Sequence, residues 1–223
     1  PAQAQLVAHP ERAVRGDGVV HRQRAPFDPE PGGEAEPGVV AAVVAHAQGQ
    51  LGNGALVTAN QPSPSAVDVS AIAGAGVFVD LAGGGYHTCR LTAEGVAYCW
   101  GEDLNGQLGN GAGTVSQPSP SAVSVSGIAG NRAFVQLDAG WSHSCGLAAD
   151  GTTYCWGSDF YGQLGNAATS GDRQSPSAVD TTATAIQGFV EIVAGYNHTC
   201  GLAAGGRFYC WGSDGYGQLG NGA

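Results

Sequence analysis

The sequence predicts an all-β fold: a partial β-propeller of about three four-stranded antiparallel blades, preceded by a disordered N-terminal segment. Three observations predict it. The stretch 85–106, GYHTCRLTAEGVAYCWGEDLNG, returns at 141–162 as WSHSCGLAADGTTYCWGSDFYG and at 196–217 as YNHTCGLAAGGRFYCWGSDGYG. A fixed interval of this kind marks one supersecondary unit copied in tandem. Glycine accounts for 38 residues and aromatics for only 8%, a composition suited to short strands joined by tight turns. No segment keeps a 3.6-residue apolar period free of Gly and Pro, which argues against long helices.

Residues 1–47 differ from the rest. They contain four of the eight Arg, six of the eleven Pro, a single aromatic (Phe27) and no Cys. The stretch 26–38, PFDPEPGGEAEPG, is too polar and Pro-rich to fold alone and reads as disordered. Residues 39–47, VVAAVVAHA, read as a strand or as a short signal-peptide core lacking an adjacent basic segment. At Gly49 the repeats enter in mid-unit with GQLGNG, a hexad that elsewhere follows Trp-Gly. This leaves two readings of residues 1–47, a true domain edge or a non-native translation upstream of a frame break.

Each unit reads as four strands. Residues 77–82 (VFVDLA) align with 133–138 and 188–193, with Phe78, Phe134 and Phe189 facing one way and Val79, Leu81 and their counterparts the other. Strands at 87–91 and 96–100 follow, joined by the turn Ala93-Glu94-Gly95, whose glycine suits a left-handed bulge position. A fourth strand is expected at 65–69, with copies at 121–125 and 177–181. The prolines just before it (Pro62, Pro64, Pro118, Pro120, Pro176) suit an outer edge. The units divide as 49–105, 106–161 and 162–216, with a fourth beginning at 217–223. Propellers have about 4–8 blades, so further blades from the same full-length chain are expected partners. Without them the exposed blade faces and strand edges would favour self-association.

The net charge is −10 and no lysine is present. An acidic surface repels phosphate backbones, so nucleic acid is not an expected partner. No apolar run approaches the ~18 residues of a membrane-spanning helix.

The pattern G-x-x-H-[ST]-C-x-L-x-x-x-G-x-x-Y-C-W-G-x-D-x-x-G-Q-L-G resembles the regulator of chromosome condensation repeat over residues 49–223. The resemblance implies a seven-bladed propeller and a choice of functions: nucleotide exchange on a small GTPase, chromatin binding, light sensing or, in secreted bacterial members, protein-inhibitor binding. The chain lacks the basic cluster that nucleosome binding uses in the namesake. Its units differ in length by only a residue or two, leaving no wedge-like insertion for nucleotide exchange.

Six cysteines form three C-x9-C pairs, Cys89/Cys99, Cys145/Cys155 and Cys200/Cys210. Opposed across a hairpin, with Cα atoms about 4.5 Å apart, they suit disulfides in an oxidising compartment. Buried free thiols are the alternative. His87, His143 and His198 each precede the first cysteine by two residues, which raises a zinc site or a Cys–His dyad. An active site is made once, however, and these residues recur in every copy, so they read as structural, with each imidazole bonded to backbone near the inner turn. Trp100, Trp156 and Trp211 read as wedges between blades. Asp103, Asp159 and Asp214 suit Asx turns better than calcium, since no second carboxylate recurs beside them. GQLGNG lacks the lysine and following helix of a phosphate loop. No catalytic, cofactor or metal residue is expected.

What varies between copies bears most on function. The inner turns carry Tyr86, Trp141 and Tyr196. The loops after Trp-Gly carry Glu102, Asp103 and Leu104, then Asp159, Phe160 and Tyr161, then Asp214 and Tyr216. Aromatics beside carboxylates on turns of a rigid scaffold make a protein-binding surface, or else merely cap the sheet ends. The expected function is a non-catalytic, extracytoplasmic interaction module for a protein or surface glycan. The alternative is an intracellular exchange factor or regulator of a small GTPase.

Overall fold

The computed structural model describes residues 48–56, 61, 63–70, 72, 77–130, 133–167, 171–184 and 186–222. The expectations for residues 1–47 lie outside them. Every regular element among the described residues is a strand. β1 (Phe78–Gly83), β2 (His87–Thr92), β3 (Ala97–Gly101) and β4 (Gln117–Ala122) form one antiparallel sheet in sequence order. β5 (Phe134–Ala139), β6 (His143–Ala148), β7 (Thr153–Gly157) and β8 (Arg173–Ala178) form a second, and β9 (Phe189–Ala194), β10 (His198–Ala203) and β11 (Phe208–Gly212) a third of three strands.

The central hairpin is set by its turn. Gly95 takes φ +81°, a left-handed conformation that closes Thr92 onto Val96 and places Cys89 opposite Cys99. The same register sets Cys145 against Cys155 and Cys200 against Cys210.

Two expectations are corrected. Strict alternation puts Phe134 and Leu137 on opposite faces, yet both are 4% exposed while Val135 is 55% exposed. A bulge between Phe134 and Gln136 inserts one residue and brings Leu137 back to the buried side. It recurs in β1, and in the pairing of β9 with β10. The outer strand also starts earlier than expected. β4 and β8 contain Pro118, Pro120 and Pro176, and the segment 65–69 forms no strand. An edge strand pairs on one side only, so proline sits within it at little cost. The outer position of the first sheet is filled by the segment that follows its third strand.

The sheets pack through their first strands, β5 against β1 and β2, and β9 against β5 and β6. One apolar cluster gathers Leu91, Leu108, Phe134, Leu137 and Trp156, and the next gathers Leu147, Leu164, Phe189 and Ile192 with Trp211 packed against it. Polar side chains bridge the same seam. Leu137 N–H donates to Asp80 Oδ2 at 2.9 Å, Ala194 N–H donates to Asp138 Oδ2 at 2.7 Å, and the Gln136 amide bonds both backbone groups of Ile192. Leu81, the counterpart of Leu137, is 62% exposed; among the described residues no sheet precedes it.

Candidate functional site

The invariant residues build a clamp between successive units. The Gln163 carbonyl accepts from Trp211 Nε1 at 3.0 Å and from the Thr199 hydroxyl at 2.9 Å. The Gln107 carbonyl does the same for Trp156 and Ser144, and the Gln50 carbonyl for Trp100 and Thr88. The tryptophans therefore occupy the seams between units, as wedges. The histidines differ from expectation: His87 Nε2 lies 2.8 Å from Ser144 Oγ and His143 Nε2 3.0 Å from Thr199 Oγ1, in each case a hydroxyl of the following sheet. Backbone near the inner turn cannot serve, because it is committed elsewhere: Gly84 N–H donates to the His87 carbonyl and Gly140 N–H to that of His143. Burial holds His87 down to about 4 and His143 down to about 3, the latter helped by the charges of His87 and His198. His198 is half-buried.

Disulfides join Cys89 to Cys99, Cys145 to Cys155 and Cys200 to Cys210, each with Cα atoms 4.1 Å apart. Among the described residues no cluster of three or more His, Cys, Asp or Glu is placed to hold a metal ion.

The loops after the third strands share one construction. Asp103, Asp159 and Asp214 each accept, through Oδ1, the N–H of the leucine five residues on. The Gln107, Gln163 and Gln218 side chains each accept the N–H two residues back, at Asn105, Tyr161 and Tyr216. This corrects part of the expected surface. Glu102, Asp103 and Asp159 are buried, and Glu102 accepts from Gln107 Nε2 at 3.0 Å. Tight loops leave backbone donors without ladder partners, and the two aspartates turn inward to meet them. Burial raises Asp103 to about 6 against the opposing Leu108 hydrogen bond, and it raises Glu102 as well. Burial and the Asp172 charge raise Asp159, while its Leu164 bond and Arg173 oppose them.

The remaining expected residues face outward. Leu104 is 61% exposed, Phe160 81%, Tyr161 50% and Tyr216 98%. The inner turns lie at the same end of the sheets, since Glu102 N–H donates to the Tyr86 carbonyl, Ser158 N–H to Ser142 and Ser213 N–H to Asn197. There Tyr86 meets Trp141 edge-on at 4.9 Å, and Trp141 stacks on Tyr196 at 4.6 Å. Burial, Tyr86 and Tyr161 together hold the Tyr196 phenol above its ordinary range. One end thus carries an aromatic ladder bordered by rigid aromatic loop tips.

The fastening glutamines and the Ser144 and Thr199 hydroxyls were not singled out from sequence, though the constant Gln of GQLG and the Ser/Thr between His and Cys carried the signal. Asp172, whose Oδ1 accepts the Asp159 N–H, recurs in no other copy and left none.

Two family models of the regulator of chromosome condensation (RCC1) repeat match the chain, one at residues 78–107, 134–163 and 189–218, the other at 94–147 and 150–202. Similar curated proteins include the probable E3 ubiquitin-protein ligase HERC4 of Mus musculus, 36% identical over 144 residues, and HERC3 of Homo sapiens, 37% identical over 139. These matches cover 64% and 62% of this chain and 13% of each relative. Among solved structures, Prp20p from Saccharomyces cerevisiae superposes with TM-score 0.54 at 26% identity, over 64% of this chain and 34% of its own. Human WBSCR16 superposes with TM-score 0.60 at 21% identity, over 75% and 40%.

Proposed function

Because the chain belongs to the regulator of chromosome condensation (RCC1) repeat family, we propose that it is a non-catalytic interaction module working outside the cytoplasm. One observation carries the reading. The constant residues are spent on the clamps and loop fastenings, while Phe160, Tyr161 and Tyr216, at positions that differ between copies, stand at one end as exposed aromatics on fixed backbone. Rigid, exposed aromatics are what protein interfaces use as anchors. One disulfide per sheet, with no free cysteine among the described residues, supports an oxidising compartment.

A photo-crosslinker at position 160 or 216, compared with one at position 94 on the opposite turn, tests this reading in the producing cells. A discrete adduct from the first two positions and none from the third is expected. Equal labelling from both ends would overturn it. Alkylation without reductant, followed by intact mass, tests the compartment. Six blocked thiols are expected, and six alkylated ones would place the chain in a reducing environment.

The likeness to Prp20p, whose structure is described together with its binding to Gsp1p and histones, favours a second reading as a regulator of a small GTPase. Release of labelled GDP from purified small GTPases distinguishes the two. Catalytic acceleration by this chain would replace the first reading with the second.

A further inference from the structure

The loop at Asp159 differs from its two copies. Asp159 is 2% exposed, and only its Oδ1 is satisfied; Oδ2 has no partner. The exposed Asp172 carboxylate lies directly beside it, accepting the Asp159 N–H at 3.1 Å through Oδ1 and the Asn105 amide at 2.8 Å through Oδ2. The two residues that follow Asp159, Phe160 and Tyr161, stand edge to face at 4.9 Å, both exposed. In no other copy do two aromatics follow the loop aspartate.

The surrounding charge is one-sided. This end carries Glu102, Asp103, Asp159, Asp172 and Asp214 against Arg173, and residues 48–223 hold twelve Asp and Glu against four Arg. A neutral or acidic partner laid on the rings would draw the carboxylates further from water with only Arg173 to compensate them. A cation has the opposite effect, since the ring faces and the carboxylates both attract it.

We propose that the corner formed by Phe160, Tyr161, Asp159 and Asp172 binds an arginine- or lysine-rich segment of a partner protein. The cationic groups lie over the two rings and face the exposed Asp172 carboxylate, while the buried Asp159 adds to the attraction from beneath without touching them. The proposal rests on the reading of this end as the binding face and adds to it the chemistry of the partner.

The test is fluorescence anisotropy on the full chain with a labelled Arg-rich nonapeptide, alongside an acidic peptide of equal length and a neutral oligosaccharide. Saturable binding of the Arg-rich peptide alone is expected. It should weaken about tenfold in F160A/Y161A and several-fold in D172N, because cation–π and exposed carboxylate contacts are of that size. Asp150→Asn, on the opposite turn, should leave it unchanged. All the substituted side chains are exposed, Asn at position 172 keeps an acceptor for the Asn105 amide of the preceding loop, and circular dichroism verifies the fold. Equal weakening by D150N and D172N would mean diffuse charge attraction and overturn the proposal. Binding of the oligosaccharide or acidic peptide that is lost in F160A/Y161A would also overturn it, while preserving this end as the binding face. Binding of any probe that none of these variants changes would overturn both.

Discussion

His143 reaches out of its own sheet and places Nε2 3.0 Å from the Thr199 hydroxyl of the next. That hydroxyl has one proton, and it is already donated to the Gln163 carbonyl at 2.9 Å. Thr199 therefore accepts from His143, which fixes the imidazole as the Nε2–H tautomer and leaves Nδ1 a bare, buried acceptor without a partner. His87 and Ser144 repeat the relationship one unit earlier, so each seam is held by a relay from imidazole to hydroxyl to carbonyl.

Removing the hydroxyl strands the His143 Nε2–H, whereas the Gln163 carbonyl keeps Trp211. Thr199→Val should cost about 1–3 kcal/mol, the penalty of a buried donor left unpaired. Thr199→Ser should cost less than about 1 kcal/mol, because Ser144 fills the same position in the preceding copy. Urea titration of the two variants decides between this relay and simple packing: equal losses in Val and Ser would remove the hydroxyl from the account.

The relay also sets a direction for acid sensitivity. His87 is held near 4 and His143 near 3 in the fold, against an ordinary value of 6.5. An unfolded chain therefore binds protons that the folded one refuses, and stability is full above about pH 6.5 and falls as pH drops through about 4. For His87 alone the term is roughly 3 kcal/mol. Asp103, raised to about 6, acts in the other sense: its folded form gains protons first, and its contribution is lost as pH rises through 6. Asp103→Asn keeps an acceptor for Leu108 and removes that opposing slope. Its melting temperature should fall more steeply than the parent's between pH 6 and 4, and match or exceed the parent's at pH 7. An unchanged slope would show that Asp103 ionises normally.

Much of this was legible in the sequence because the period itself is the fold: three copies of paired cysteines and a Trp-Gly give the hairpins and their order. The bulge at Val135 was not legible, since the extra residue falls inside a run whose apolar spacing mimics simple alternation. Nor was the outer strand, because Pro118 and Pro120 read as punctuation until an unpaired edge made them tolerable. Asp103 and Asp159 read as Asx-turn residues on a candidate binding loop. Only the loop geometry shows which N–H, five residues away, lacks a partner and draws them inward. The exposed Phe160 and Tyr216 were found by their variation between copies, which marks positions that the clamp does not constrain.

The three disulfides should reduce in an order set by cover. Cys145 and Cys155 are fully buried, whereas Cys200 and Cys210 are half-buried. Graded dithiothreitol with alkylation and peptide mapping should open Cys200–Cys210 first, ahead of the equally buried Cys89–Cys99 and Cys145–Cys155. Each bridge closes a short loop, so its loss should lower stability by at most about 2–3 kcal/mol. Simultaneous opening of all three would mean that reduction proceeds through global unfolding and not through local exposure.

One close approach in the seam is where backbone meets indole. Gly109 adopts φ +65°, and a Cβ built on it would lie 2.5 Å from Trp156 Nε1, the atom that donates to the Gln107 carbonyl. Gly109→Ala therefore carries two penalties, a left-handed conformation for a residue with a side chain and displacement of a buried indole from its acceptor. Gly113 isolates the first: its φ is +104° and nothing lies within 4 Å of its Cβ position. Gly113→Ala should cost about 1 kcal/mol. Gly109→Ala should cost about 3 kcal/mol or more and shift the tryptophan emission to the red as Trp156 meets water. The difference between the two measures the indole contact. Equal losses with unchanged emission would mean that the loop moves aside and the seam is softer than its geometry implies.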